Sequence, residues 1–152
     1  MKCPFLLLCL LPGPLAAQPR LVPSVLSFPA NVRSAGLAGA GVAMTGYAGS
    51  VFNNPSGLAP IRALSLEATF VRLPDRSTYT MGAAAARVGQ FNVGGGYQYL
   101  RFPGNNPVYD NLSWVGTAVY RRGGLSFGTS SKYVSVEDSA GVISRAGTTD
   151  LG

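Results

Sequence analysis

Two adjoining acids, two cysteines and a run of closely spaced glycines are the residues of this chain whose types could do chemistry. Glu137 and Asp138 are neighbours, but successive side chains of a strand point to opposite faces, so they do not form an acid–base pair there. Cys3 and Cys9 have no histidine to activate them, because the 152 residues contain none. The same absence removes Ser/His nucleophile pairs and His-ligated metals. The four Asp and two Glu are spread along the chain rather than gathered around a cation. Among the glycines, Gly39-Ala40-Gly41 is followed by Met44 where a dinucleotide fingerprint requires glycine, and Gly41 to Gly46 is followed by Tyr47 where a P-loop requires lysine. Both phosphate-binding patterns fail on their defining residue. The expectation is a protein that is not an enzyme, with no cofactor and no metal.

Charged residues are 12% of the chain, about half the share usual for a soluble globular protein. Apolar residues make up 47%, so a water-facing surface is hard to build. The net charge is +6, yet the ten arginines are scattered and only Arg121 and Arg122 adjoin, which argues against nucleic acid as a partner. At the N-terminus, Lys2, the apolar run from Cys3 to Leu11 and the small residues before Gln18 predict a secretory signal over residues 1–17, cut between Ala17 and Gln18. Pro12, Gly13 and Pro14 break the run well short of the ~20 apolar residues of a membrane anchor. Cleavage there removes both cysteines and with them any disulfide framework. Residues 18–31, interrupted by Pro19, Pro23 and Pro29, read as an irregular lead-in and linker. Residues 32–58 are Gly/Ala-rich and too small in side chain to build a core alone, so they are expected to pack against something larger.

From residue 63 onward the pattern has period two. Residues 63–72 place Leu64, Leu66, Ala68 and Phe70 on one face and Ser65, Glu67, Thr69 and Val71 on the other. The segments 79–88, 91–102, 112–121 and 125–136 alternate in the same way, although the alanines of 83–86 also suit a helix. Five strands of about ten residues result, the length a tilted strand needs to cross a bilayer. Their connections alternate: 73–78 is longer, Gly89-Gln90 tight, 103–111 longer, 122–124 tight and 137–149 longer. Outer-membrane barrels follow that rule, with tight turns on the periplasmic side. Aromatic residues then fall into two girdles, Phe70, Tyr79, Tyr99, Phe102 and Tyr133 at the outer ends, and Phe91, Tyr120 and Phe127 at the periplasmic ends. The competing reading is a small secreted β-sandwich whose aromatics are core.

The stretches Arg33-Ser34-Ala35-Gly36-Leu37-Ala38-Gly39-Ala40-Gly41-Val42-Ala43 and Ser50-Val51-Phe52-Asn53-Asn54-Pro55-Ser56-Gly57-Leu58 resemble the opening of PorV/PorQ-type outer-membrane proteins and, more distantly, of the FadL long-chain fatty acid transporters. Thr149-Asp150-Leu151-Gly152 is similar to a segment that opens a later strand in that group. The resemblance implies an all-β fold: an antiparallel meander from the N-terminal part of a transmembrane barrel of about fourteen strands, with residues 32–58 folded into the lumen as a hatch. It assigns the hatch motif to Asn53, Asn54, Pro55, Ser56, Gly57 and Leu58, with Gly36, Gly39 and Gly41 as hatch glycines. Ser56 stands where alanine is more usual in the group. Residues 63–152 would then supply five strands and the start of a sixth near Asp150, an incomplete barrel needing further strands to close.

Two functions follow from the likeness. A PorV/PorQ-type barrel is an accessory to protein secretion or surface attachment, meeting cargo proteins through the outer loops 103–111 and 137–149. A FadL-like barrel is a channel that passes hydrophobic small molecules by the hatch. Both place the protein in the bacterial outer membrane with its lipid as partner, and Arg72, Arg76 and Arg101 near the outer strand ends suit anionic lipid or lipopolysaccharide.

Overall fold

The computed structural model describes residues 24–38, 40–103, 108–138 and 143–152. The expected signal with its cut site at Ala17 and Gln18, and the expected hatch glycine Gly39, lie outside the described residues. From residue 64 onward the described residues form one open antiparallel sheet of six strands: β1 Leu64–Arg72, β2 Thr78–Val88, β3 Phe91–Arg101, β4 Val108–Arg122, β5 Leu125–Asp138 and β6 Ile143–Leu151. Spatial order equals chain order, so each strand pairs with its successor and the sheet is a meander. The all-β expectation therefore holds.

Period-two alternation is what makes these segments strands, and pairing decides where alternation is ambiguous. The alanine run of β2 has high helix propensity, yet Ala84 is paired with Leu66 on one side and Gly95 on the other. Two ladders outweigh a propensity of a few tenths of a kcal/mol per residue. On the open face, glycine in one strand makes room for an aromatic in the next. A Cβ on Gly82 would come within 2.6 Å of the Tyr97 ring, which lies over that glycine and meets Trp114 at 5.5 Å between ring centroids.

Strand ends differ from the sequence expectation in two places. β4 begins at Val108, so the connection expected at 103–111 shrinks to 102–107. The long loop expected at 137–149 is mostly strand, because β5 continues to Asp138 and β6 starts at Ile143 rather than near Asp150. The stretch Ser144 to Thr149 has no apolar alternation to betray it, and its backbone is held by pairing with β5, from Glu137 opposite Ile143 to Thr129 opposite Leu151. The tight connections remain at one end of the sheet, Gly89-Gln90 and Gly123-Gly124, and 73–77 lies at the other, with the end of β3, the start of β4, the end of β5 and the start of β6.

In the 73–77 connection the Ser77 hydroxyl and backbone N–H donate to Asp75 Oδ1 at 2.6 and 3.0 Å. These two bonds, the hydroxyl's first, hold the Asp75 carboxyl below its ordinary value. Their support for the turn is complete above the usual carboxylate range and is lost as pH falls through the lowered value.

The described residues of 24–62 contain no strand. They form 3-10 turns at Ser24–Ser27, Gly41–Ala43, Ala48–Phe52 and Pro55–Leu58, plus one short helix, α1 Val32–Gly36. Asn31 caps α1 by accepting the Ser34 N–H at 2.7 Å. The whole stretch lies on one face of the sheet, and the core sits between the two. Val25, Val51, Phe52, Leu58 and Ile61 meet Met81, Ala85, Leu100, Val115 and Val119 there. The described part of the expected lead-in is therefore packed rather than a linker: Val25 is fully buried and Phe28 stacks on Tyr79 at 5.5 Å.

Gly89 and Gly123 open the two tight turns with φ of +63° and +61°. Replacing either by alanine is expected to cost about 1–2 kcal/mol in denaturant unfolding, because an L side chain is strained at that φ. Gly116→Ala, whose Cβ would meet nothing within 4 Å, is the control and is expected to unfold like the parent.

Candidate functional site

The open face of the sheet exposes large apolar side chains, and the covered face mixes the buried apolar core with buried polar side chains. On the open face Leu66 and Phe70 are each 70% exposed, Phe127 66% and Trp114 51%. On the face covered by residues 24–62, Asn92, Ser113 and Ser130 are 1% exposed and Asn111 is fully buried. Glu67, Gln98, Thr117 and Lys132 share that covered face.

Six side-chain hydrogen bonds from the sheet seat the N-terminal segment. Asn92 Nδ2 donates to the carbonyls of Leu58 and Ile61, both at 2.8 Å, and Arg121 Nη1 donates to Ala59 O at 2.9 Å. From the segment, the Ala48 N–H donates to Ser65 Oγ at 3.0 Å and the Gly49 N–H to Glu67 Oε2 at 2.9 Å. Residues 59–62 lead directly into β1, so these bonds fix the segment and the first strand together. At the other end, Gln98 Nε2 donates to the Tyr79 hydroxyl at 3.0 Å, which reaches Ala30 O at 3.5 Å.

Close approach of the segment depends on glycines of the covered face. A Cβ on Gly96 would lie 2.6 Å from Phe52 Cζ, and one on Gly94 would lie 3.0 Å from both Val51 and Leu58. One on Gly128 would meet Pro55 at 2.8 Å. The sheet is thus recessed where the segment is bulkiest.

The sequence-predicted motif residues come together in this contact. Asn54 is extended, caps the Pro55–Leu58 turn by accepting from the Ser56 N–H and hydroxyl at 3.1 and 2.8 Å, and donates from Nδ2 to Val42 O at 3.2 Å. Pro55 supplies the fixed φ at the first position of that turn. Gly57 lies against Ser50, where a Cβ would be 2.9 Å from the Ser50 Cβ, and Leu58 is fully buried. Asn53 lines a cavity of about 240 Å3 with Phe28, Phe52, Gln98, Ser113 and Lys132, and its Nδ2 has no partner. Of the expected hatch glycines, Gly41 is buried with Ser34 and Asn53 crowding its Cβ position, whereas Gly36 is exposed in α1 with open space around it.

The aromatic set divides. Phe70, Phe91, Phe127 and Tyr133 are exposed on the open face, and Tyr99 and Tyr120 are half-buried on that face. Tyr79 does not belong with them: it lies on the covered face, 2% exposed, because its register partner is Val71 rather than Phe70. Phe102 likewise packs against the buried cluster and leaves the girdle.

Sequence reasoning passed over Asn92, Arg121, Ser65, Glu67 and the Lys132–Asp150 ion pair at 2.6 Å. A signal was present for Asn92, a polar residue on the same strand face as Gly94 and Gly96. Among the described residues no three His, Cys, Asp or Glu side chains gather, and no helix is long and apolar enough to cross a membrane. Comparison with known protein families, curated proteins and solved structures returns no match for this chain.

Asn92→Ala removes the donor from two carbonyls at once, and an unpaired buried group costs about 1–3 kcal/mol. Hydrogen exchange at residues 58–62 is expected to accelerate in that variant. Gly96→Leu, by overfilling the recess, is expected to expose residues 44–60 to limited proteolysis while the strands keep their β circular dichroism. Unchanged cleavage would show that the segment is not wedged there.

Proposed function

We propose that this chain forms part of the wall of a bacterial outer-membrane β-barrel of the PorV/PorQ type, an accessory to protein secretion or surface attachment. Residues 24–62 fill the lumen side as a hatch. The observation that carries this reading is the exposure of large apolar side chains on the open face. In water, each exposed Leu or Phe forgoes about 1.5–3 kcal/mol of burial, and a patch spanning β1 to β5 would promote association. Against acyl chains the same face is at home, and the buried Asn, Ser, Thr and Gln side chains that stand among the apolar residues of the covered face suit a filled lumen better than a sealed core. The strand lengths support it too: β1 has 9 residues and β2 and β3 have 11, against the 9–11 that span a bilayer. Tight turns at one end and longer connections at the other fit the periplasmic and outer sides. Within this reading β1 and β6 each need a further partner strand, since an open backbone edge in lipid costs several kcal/mol per unpaired group.

The accessory role is favoured over free conduction because the segment is bonded and wedged across the covered face. Its cargo surface would lie at the end of the sheet away from the tight turns. A FadL-like channel for hydrophobic small molecules is the second reading. It draws support from an apolar cavity of about 380 Å3 between α1, β1 and β2, lined by Phe28, Val32, Val71, Leu73 and Tyr79.

Trp114 is the one tryptophan of the chain and sits on the open face, so it reports the environment of that face. In full-length protein with any tryptophan outside residues 1–152 replaced by phenylalanine and reconstituted into vesicles, its fluorescence is expected to be strongly quenched by phosphatidylcholine brominated on its acyl chains. A secreted β-sandwich, with that face against a second sheet, would show no quenching and would sink the proposal. Deletion of the gene separates the two roles: stalled secreted proteins in the periplasm support the accessory, and lost uptake of a long-chain fatty acid with normal secretion supports the channel.

A further inference from the structure

Charge is distributed unevenly between the two ends of the sheet. Around the tight turns lie Arg62, Arg87, Arg121 and Arg122, and among residues 59–64, 86–92 and 119–126 there is no Asp or Glu. The opposite end mixes signs, with Asp75, Asp110, Glu137 and Asp138 among Arg72, Arg76 and Arg101. At the tight-turn end Arg62, Arg87 and Arg122 are exposed, and Arg121 is partly turned inward to Ala59 O. Arg122 has no bonded partner among the described hydrogen bonds and ion pairs. It follows Tyr120 by two residues on β4, so both point to the open face about 7 Å apart.

The face beside Arg122 is not flat. Phe91 and Tyr120 meet at 5.3 Å between ring centroids, and with Ala118, Phe127, Thr129 and Leu151 they line an apolar groove of about 330 Å3. Leu125 opposite Arg122, and Phe127 opposite Tyr120, continue the groove toward the turn. A cation at the end of an apolar groove, on a strand face read as lipid-facing, matches an amphiphile with an anionic head and an acyl chain.

We propose that the tight-turn end binds an anionic phospholipid. Its phosphate is held by Arg122, with Arg62 adding to the local positive potential and Arg87, which stands on the covered face with its Nε donating to Gly89 O at 3.0 Å, adding a weaker share, and one acyl chain lies between Tyr120, Phe127, Phe91 and Leu151. This rests on the barrel reading and adds to it a choice among lipids. The choice comes from the lack of acids in the segments around the tight turns, with Asp150, next to Leu151, turned to the covered face and paired with Lys132, because a phosphatidylcholine head carries its own cation and gains little there. An anionic head carries none and keeps its attraction to all the exposed arginines. One membrane-facing cation is worth about a fivefold preference for an anionic lipid.

The test uses a single tryptophan placed in the groove, Phe127→Trp in a Trp114→Phe background, in phosphatidylcholine vesicles carrying a minor fraction of acyl-brominated lipid. Brominated phosphatidylglycerol is expected to quench several-fold more effectively than the same fraction of brominated phosphatidylcholine. Adding Arg122→Gln and Arg87→Gln should bring the two to equality. Equal quenching by both lipids in the parent would overturn the proposal while leaving the barrel reading intact. Failure of the barrel reading shows separately, as absent quenching of Trp114 in the protein that keeps it as its single tryptophan. Should the tryptophan variant not fold, the unaltered protein released from mixed micelles in a native mass spectrometer is expected to retain phosphatidylglycerol in preference to phosphatidylcholine. Arg122→Gln should lose that preference, and retention of both lipids alike in the unaltered protein would again refute the site.

Discussion

Side chains on a strand alternate between two faces, so in a meander whose register shifts only near the start of β4, between Val108 and Asp110, one choice governs the surroundings of nearly every described residue: which face receives the N-terminal segment. A slip of one residue in any ladder would carry Asn92, Thr117 and Ser130 to the open side and bring Phe91, Ala118 and Phe127 beneath residues 44–60. Two devices hold the choice. Asn92 grips the carbonyls of Leu58 and Ile61 just before β1 begins, and Gly94, Gly96 and Gly128 provide the only depth in which Val51, Phe52 and Pro55 fit. The first is directional and the second steric, and they agree on the same face.

The covered face is not a conventional core. Met81, Leu100, Val115 and Val119 supply apolar contact, but Asn111, Thr117 and Ser130 stand among them with buried polar atoms that the chain does not satisfy. Such groups are costly when dry and inexpensive when hydrated. A surface of this composition suits an interior that water reaches, and it is poorly suited to a sealed hydrophobic centre. Lys132 and Asp150, paired on the same face of β5 and β6, are consistent with that view.

Much of the sheet was legible because alternation is a local property. Leu64 to Phe70, Phe91 to Tyr99 and Leu112 to Tyr120 each announce a strand and its two faces without reference to the rest of the chain. β6 was hidden because Ser144 to Thr149 is polar or small on both faces, so only pairing with β5 reveals it. Tyr79 was misplaced for a related reason. Alternation within β2 puts it with Met81, but nothing local says which face of β2 continues the face of Phe70; the register with β1 decides that. The Asn54-Pro55-Ser56-Gly57 turn was visible as a motif, since its cap and its proline act within four residues. Its anchors were not, because Asn92 and Gly128 are distant in sequence.

The meander also implies an order of assembly. Every ladder joins consecutive strands, so each hairpin closes over a short connection at small entropic cost. The segment's bonds span much longer intervals, from 17 residues for Ala48 to Ser65 to 62 for Arg121 to Ala59. Loops of that size close late, after the strands that bear the segment's bonding partners exist. The sheet is therefore the template and residues 24–62 its last addition. The sheet can reach its final register while the face that the segment covers is still bare.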